Sequence, residues 1–249
     1  MSVGVRQSRA RGQHFLRGSA LAASIVRAAG VRPGDLVVDV GAGTGVLTSA
    51  LVAAGADVIA VELDPQLAAG LRRRFPRVIE GDARHVPLPR RPFKVVANLP
   101  FDSGTAILRR LLDPGVALVS ADVVLQWEVA AKRAAVWPST RVGIEWSAWF
   151  ELEVVRRLPR CCFAPPPDAD AAVLKATRRS EPLVALRDIA TYRRFLDSGF
   201  RAGVRAVVPP RELKRAATEL GFDRAAQPRD LDAVQWAELF RRASVRRPR

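Results

Sequence analysis

Short apolar runs punctuate the first 180 residues and read as buried strands: Leu36 to Val40, Val58 to Val61, Val78 with Ile79, Phe93 to Ala97, and Asp122 to Leu125. Segments with helical spacing lie between them. Leu21, Ile25 and Ala29 follow Ser19, a good N-cap residue, and Gly30 stops that helix. Val46, Leu47, Ala50 and Leu51 make the inner face of a helix from about Gly45 to Ala54. Asp64 and Pro65 open another as N-cap and first-turn residue. Ser103 can cap a helix carrying Ile107, Leu108, Leu111 and Leu112, and Gln126-Trp127-Glu128-Val129-Ala130 starts a further one. Trp146 to Leu158 and Ala171 to Thr177 read as the last two strands, a hairpin-like pair. The stiff segment Phe163-Ala164-Pro165-Pro166-Pro167 between them is expected to stay out of any sheet, because proline donates no backbone hydrogen bond.

After about residue 180 the pattern turns wholly helical. Ile189, Tyr192 and Leu196 share one face; Leu213, Ala217 and Leu220 share another that Gly221 closes; and Asp230 is expected to open a last helix with Trp236, Leu239, Phe240 and Ala243. The expected division is an α/β domain over residues 1–179 and a small helical domain over 180–249. Residues 1–12, with Arg6, Arg9 and Arg11, read as a basic arm.

Strand ends carry the candidate chemistry. Asp39-Val40-Gly41-Ala42-Gly43-Thr44-Gly45 follows the first long strand and leads into a helix. Glycines at alternate positions allow a sharp turn and close approach of a ligand, as in the nucleotide-binding turns of α/β folds. Glu62 ends the next strand, where a carboxylate can accept from both hydroxyls of a ribose, and Asp82 follows the third, placed to accept from an adenine amino group. Asn98-Leu99-Pro100-Phe101 then ends the Phe93 strand at a rigid turn. It holds an amide, a backbone carbonyl and an aromatic face, which suit an exocyclic amino group and a flat base.

Composition adds direction. The 249 residues carry a net charge of +15 and a pI near 11.4, which favours a polyanionic partner through counterion release. Arg201, Arg205, Arg211, Lys214 and Arg215 cluster in the helical part, and Arg246, Arg247 and Arg249 end the chain. The two cysteines, Cys161 and Cys162, are neighbours, poor geometry for a bridge and no metal spacing. The uncharged run from Val40 to Ala56 is too short and glycine-rich to span a bilayer, and no charged-then-apolar signal segment opens the chain, so a cytoplasmic protein is expected.

Taken together, these motifs resemble those of the rRNA adenine N6-methyltransferases of the Erm/KsgA family, over nearly the whole chain. Gln13-His14-Phe15-Leu16 is similar to the family's Gln-Asn-Phe-Leu motif, with His14 in place of asparagine. Asp39 to Gly45 resembles its cofactor loop, and Asn98 to Phe101 its Asn-[Leu/Ile]-Pro-[Tyr/Phe] catalytic motif. Leu125 to Ala130 resembles Leu-Gln-Lys-Glu-Val-Ala, with Trp127 in place of lysine, and Phe163, Pro165 and Pro167 match Phe-x-Pro-x-Pro. The short loop Asp102-Ser103-Gly104 and the compact tail look most like actinobacterial Erm enzymes.

The resemblance implies a Rossmann-like class I methyltransferase with a seven-stranded sheet, a helical RNA-binding domain, S-adenosyl-L-methionine as cofactor and no metal. It implies catalytic roles for Asn98, Leu99, Pro100 and Phe101, and cofactor contacts from Gln13, His14, Leu16, Gly41, Gly43, Glu62, Leu63, Asp82, Ala83 and Asn98. The implied acceptor is an adenine of ribosomal RNA, 23S rRNA in preference to 16S, methylated once or twice. Resistance to macrolide, lincosamide and streptogramin B antibiotics and a monomeric state go with that reading. A small-subunit rRNA dimethylase would use the same residues. A DNA adenine methyltransferase shares the tetrapeptide but not the Gln-Asn-Phe-Leu or Phe-x-Pro-x-Pro motifs. An inactive RNA-binding module would not need Glu62, Asp82 and Asn98 intact, and a nicotinamide dehydrogenase leaves the Asn98 turn unexplained.

Overall fold

The computed structural model describes residues 13–244, so the basic arm over 1–12 and the terminal arginines lie outside the described residues. The chain forms two compact units, one comprising the chain through Ala130 with Leu152–Arg178, the other Ala131–Glu151 with Arg179–Arg249. The helical unit thus also takes in residues 131–151, which the sequence reading groups with the sheet.

The first unit opens with a two-residue strand, β1 (Phe15–Leu16), and helix α1 (Ser19–Ala28). Gly18, at φ 84°, holds the cap position of α1 without a side-chain bond, so Ser19 lies inside the first turn rather than capping it. There follow β2 (Leu36–Val40), α2 (Val46–Ala53), β3 (Asp57–Glu62), α3 (Pro65–Arg72), β4 (Val78–Glu80), β5 (Phe93–Asn98), α4 (Gly104–Leu111) and β6 (Leu118–Gln126). Asp64 caps α3 as expected, accepting from the amides of Gln66 and Leu67. Ser103 holds the cap position of α4, but its hydroxyl donates to Asp102 at 3.0 Å and caps nothing.

Helix α5 (Trp127–Ala134) leads to α6 (Arg141–Ser147) and then to β7 (Phe150–Leu158), β8 (Phe163–Ala164) and β9 (Ala171–Arg178). Trp146 therefore lies in a helix and does not head a strand. The Thr140 hydroxyl accepts from Gly143 N–H at 3.0 Å and starts that helix three residues before its buried face. The Phe163–Pro167 segment does join a sheet at its first two residues. Phe163 and Ala164 precede the prolines, keep their N–H groups, and pair antiparallel with Leu16 and Phe15.

Seven strands form one sheet in the order β4-β3-β2-β5-β6-β9-β7. β2 is parallel to β3 and β5, β3 to β4, and β5 to β6, while β9 runs antiparallel to β6. The central strands are apolar at successive positions because both faces are covered; Val37, Val38, Val95, Val96, Val123 and Val124 are all buried. The winding reverses between β2 and β5: the chain steps outward to β4 and then returns to β5 on the other side. Carboxyl ends of strands diverge at such a switch point, and open α/β sheets hold their ligands in the resulting crevice.

The second unit adds α7 (Ile189–Ala202), α8 (Pro210–Leu220) and α9 (Ala233–Ser244). Gly221 ends α8 in the left-handed conformation at φ 67°. Asp232, not Asp230, opens α9. Its carboxylate accepts from Gln235 N–H at 2.8 Å while the Gln235 side chain accepts from Asp232 N–H at 2.9 Å, a reciprocal capping box. The core of this unit is aromatic: Tyr192 meets Trp149 and Phe240 edge-on, and Phe200 stacks on Trp236 at 5.3 Å. Gly199 makes room for it, since a methyl group there would lie 2.5 Å from the Trp236 ring. Helix propensity alone favours alanine by roughly 1 kcal/mol. We expect Gly199→Ala nevertheless to destabilise the protein by about 1–3 kcal/mol through overpacking, measured by denaturant unfolding. An unchanged or raised midpoint would contradict this packing.

Candidate active site

Two strand ends meet at the switch point. After β2 the backbone turns through Gly41, Gly43 and Gly45 at φ 69°, 57° and 80°, values that a side chain would strain. The amides of Gly41 and Ala42 both donate to the Val61 carbonyl, at 2.8 and 3.1 Å, which ties the loop to the end of β3. A methyl group on Gly43 would sit 2.7 Å from the Phe15 ring, and one on Gly41 would lie 3.4 Å from Pro100 Cδ. The glycine loop and the Asn98–Phe101 turn thus lie side by side, with a gap that one methyl group would fill.

Glu62 closes the loop from the other side. One carboxylate oxygen accepts from Gly43 N–H at 2.7 Å and the other from Asp64 N–H at 2.9 Å, and the side chain is buried. Each oxygen keeps a further lone pair for a ligand donor. Beneath it Asp39, fully buried on β2, accepts from the Thr48 hydroxyl at 2.6 Å. Burial pushes its carboxyl up to about 7; the Thr48 bond opposes the rise, and the charge of Glu62 adds to it. A carboxyl raised in this way binds more protons folded than unfolded, so its contribution to stability falls as pH rises from about 4 to about 7 and stays lost above that. Asp39→Asn keeps an oxygen for Thr48 and has no charge to bury. We expect its unfolding free energy to gain on the native chain between about pH 4 and pH 7, by at most on the order of 4 kcal/mol, and the difference to level off above that. A difference that does not vary with pH would contradict the buried charge.

Asn98 is set by groups far away in sequence. Its side-chain amide donates to the His14 carbonyl at 2.6 Å, while its Oδ1 is buried with no hydrogen-bond partner. The strip carrying His14 is itself pinned: Arg17 N–H donates to Cys162 O at 2.7 Å, and His14 Nδ1 lies 2.9 Å from the Pro165 carbonyl. The contribution of position 14 to Asn98 is therefore a backbone carbonyl, which survives the histidine found where asparagine is usual. Pro100 O accepts from Gly104 N–H at 2.7 Å, at the start of α4.

Asp82 lies beyond Glu62, past the end of β4. The Arg84 guanidinium grips both of its oxygens, at 2.6–3.0 Å, and Arg84 N–H adds a bond at 2.8 Å. These bonds lower the Asp82 carboxyl to about 2, so it is an acceptor only. Arg110 fastens the same loop through the carbonyls of Ala83 and Val86.

A cleft of about 670 Å³ unites these groups, within the size range of sites for ligands as large as nucleosides. Gln13, His14, Gly41, Gly43, Glu62, Leu63, Asp82, Ala83, Asn98, Leu99 and Pro100 line it. Leu16 and Phe101 do not. Leu16 is buried in the core, and the Phe101 ring packs against His14 at 5.2 Å and Phe163 at 6.2 Å. Phe15, Asp64, Arg84, Asp102 and Ser103 also line the cleft and were not singled out from the sequence as site residues; an aspartate followed two residues on by arginine was the one available signal for Arg84. Leu63 is 61 % exposed, an apolar side chain held open on the wall. Although the chain is strongly basic, four carboxylates border this cleft, Glu62, Asp64, Asp82 and Asp102, against one arginine, Arg84, that pairs with Asp82, a balance that suits a ligand with positive charge.

Sheet order, glycine loop and acidic strand ends define a Rossmann-like class I methyltransferase. Residues 5–208 match the sequence profile of the ribosomal RNA adenine dimethylases, and the chain belongs to that family. It is 35% identical over 240 residues to the mycinamicin-resistance protein MyrB of Micromonospora griseorubida, covering 92% of this chain and 77% of that one. It is 32% identical over 253 residues to ribosomal RNA small subunit methyltransferase A of Synechococcus sp. (strain JA-3-3Ab), covering 92% and 90%. Among solved structures, the 23S rRNA methyltransferase ErmE superposes with a TM-score of 0.81 at 29% identity, covering 92% of this chain and 98% of the other. The protein is an rRNA adenine N6-methyltransferase.

Proposed function

We propose that the protein transfers one or two methyl groups from S-adenosyl-L-methionine to N6 of an adenine in 23S rRNA, and so confers resistance to macrolide, lincosamide and streptogramin B antibiotics. The observation that carries the chemistry is the buried, unpartnered Oδ1 of Asn98, on a side chain held by the His14 carbonyl in the cleft that the glycine loop also lines. The cofactor, when bound, supplies a methyl group made electrophilic by a positively charged sulfur. Glu62 accepts from the ribose hydroxyls, Asp82 from the adenine amino group of the cofactor, and Leu63 and Ala83 cover its base. Gln13, His14, Gly41 and Gly43 border the methionine end.

The target adenine presents a poor nucleophile, because its N6 lone pair is delocalised into the ring. Asn98 Oδ1 accepts from one N6–H, and the Leu99 carbonyl, which unlike that of Pro100 is not engaged by α4, accepts from the other. Both bonds favour a tetrahedral nitrogen whose lone pair points at the methyl carbon. The bound cofactor would supply the methyl group with the carbon–sulfur electron pair leaving on sulfur, and the surplus N6 proton would pass to water. The positive charge developing on N6 meets two dipoles already in place. Holding nitrogen, carbon and sulfur in line contributes several kcal/mol more, of roughly the size seen for oriented intramolecular reactions. Phe101 braces the turn from behind through His14 and Phe163, and so holds Asn98 and the Leu99 carbonyl in place for the target base.

Similarity to the mycinamicin-resistance protein and to ErmE favours 23S rRNA, and similarity to a small subunit methyltransferase A supplies the competing substrate. The two are separated by methyl transfer to purified protein-free 23S rRNA against 30S particles, with primer extension to map the stop. We expect label on 23S rRNA, with a single strong stop where the adenine carries two methyl groups. Transfer confined to 30S particles would replace the substrate and keep the chemistry.

A further inference from the structure

Trp137 is the one aromatic residue among the exposed large apolar side chains of the described residues, 61 % exposed where Trp146, Trp149 and Trp236 are buried. It is not a loose side chain. Its indole N–H donates to the Asp230 carbonyl at 3.1 Å, which uses its single polar group and fixes the ring. The loop that carries it is fastened to the same turn: Ser139 N–H donates to the Arg229 carbonyl at 2.8 Å, and Ser139 is buried. That turn is in turn braced by Asp230, whose carboxylate accepts from Gln227 N–H at 2.8 Å. An indole fixed in one orientation and left open to solvent offers a preorganised flat face on which a base can stack.

We infer that Trp137 is a stacking platform for an unpaired base of the RNA substrate, outside the catalytic cleft; this rests on the proposed RNA substrate. The exposed cations of the same unit, with Arg229 on the turn that holds the Trp137 loop, favour that occupant over a protein. The same helical unit exposes Arg201, Arg205, Arg211, Lys214, Arg224 and Arg229, none of which forms an ion pair with a carboxylate among the described residues. Arg229 belongs to the turn on which the Trp137 loop is fastened. A flat aromatic face beside unneutralised guanidinium groups is the combination that binds single strands without reading sequence: bases stack, and phosphates meet the cations. A duplex keeps its bases stacked on each other and gains nothing from the indole.

The test compares binding of a fluorescein-labelled, adenine-rich 12-nucleotide RNA as a single strand and as a duplex, using the full chain and its Trp137→Ala, Trp137→Phe and Arg229→Ala variants. Thermal unfolding and cofactor binding of each variant serve as controls. We expect Trp137→Ala to weaken single-strand binding roughly tenfold, within the range for loss of one stacked base. Duplex affinity and the salt dependence should not change, and Trp137→Phe should restore most of the loss. Arg229→Ala should weaken both forms and reduce the salt slope by about 1. Native single-strand affinity in a folded Trp137→Ala variant overturns the inference while leaving the RNA substrate standing. If Trp137→Ala instead abolishes self-association of the native chain with RNA affinity unchanged, the indole belongs to a protein contact and the inference also fails. Failure of the native chain to bind either RNA would bring down the RNA reading, and this inference with it.

Discussion

Replacing Asn98 by alanine should lower kcat for methyl transfer by about 10²–10³-fold, the usual consequence of removing one preplaced dipole from a reacting centre. Cofactor affinity should stay within a few-fold of native, because Glu62 and the glycine loop do not depend on that side chain. The fold should survive. The lost bond to the His14 carbonyl contributes about 1 kcal/mol, and the unpartnered Oδ1 contributes none. Single-turnover transfer to rRNA, with cofactor binding followed by calorimetry, separates the two quantities. Near-native turnover would remove Asn98 from the chemistry.

Glu62→Ala should do the opposite. The Glu62 carboxylate holds Gly43 and Asp64 amides and keeps lone pairs for the ribose, so its loss strips both the acceptor and the loop that shapes the site. Two charge-assisted bonds lost to the ligand correspond to about 3 kcal/mol or more, which is roughly a 100-fold rise in the dissociation constant for S-adenosyl-L-methionine. Leaving two backbone donors unpaired should also cost stability, on the order of 1–3 kcal/mol for each that water cannot reach. Turnover at saturating cofactor should recover much of its native value, in contrast to Asn98→Ala. A variant with native cofactor affinity would place the ribose elsewhere.

The contrast between these two residues shows what could be read from the chain and what could not. Strand ends were legible, because an apolar run stopped by glycine or proline marks both a buried strand and the point where its carboxyl end opens. Gly41, Glu62, Asp82 and Asn98 all sit at such ends, and the sheet brings them to one cleft. Helix caps were legible when the residue type and the turn agreed, as at Asp64, and misleading when a neighbouring glycine or aspartate took the position, as at Ser19 and Asp230. The strand expected from Trp146 failed because a mixed apolar stretch fits either period until Thr140 is known to cap a helix.

Long-range partners were out of reach altogether. Nothing local to Asn98 indicates that a carbonyl 84 positions earlier orients it. Nothing local to Phe163 and Ala164 indicates that they pair with β1 and thereby anchor His14. The positions of Leu16, in the core, and Phe101, behind the turn, follow from that same joint. Residues whose role is a backbone carbonyl leave little trace in side-chain chemistry, which is why histidine at position 14 says less about the site than its carbonyl does.

The central claim is transfer of a methyl group to the exocyclic nitrogen of adenine. It is tested most directly by incubating the protein with radiolabelled S-adenosyl-L-methionine and protein-free 23S rRNA, digesting the RNA to nucleosides, and resolving the label by chromatography. The account expects all label in N6-methyladenosine or N6,N6-dimethyladenosine. Label in any other nucleoside, or on a ring nitrogen or ribose oxygen of adenosine, would contradict it.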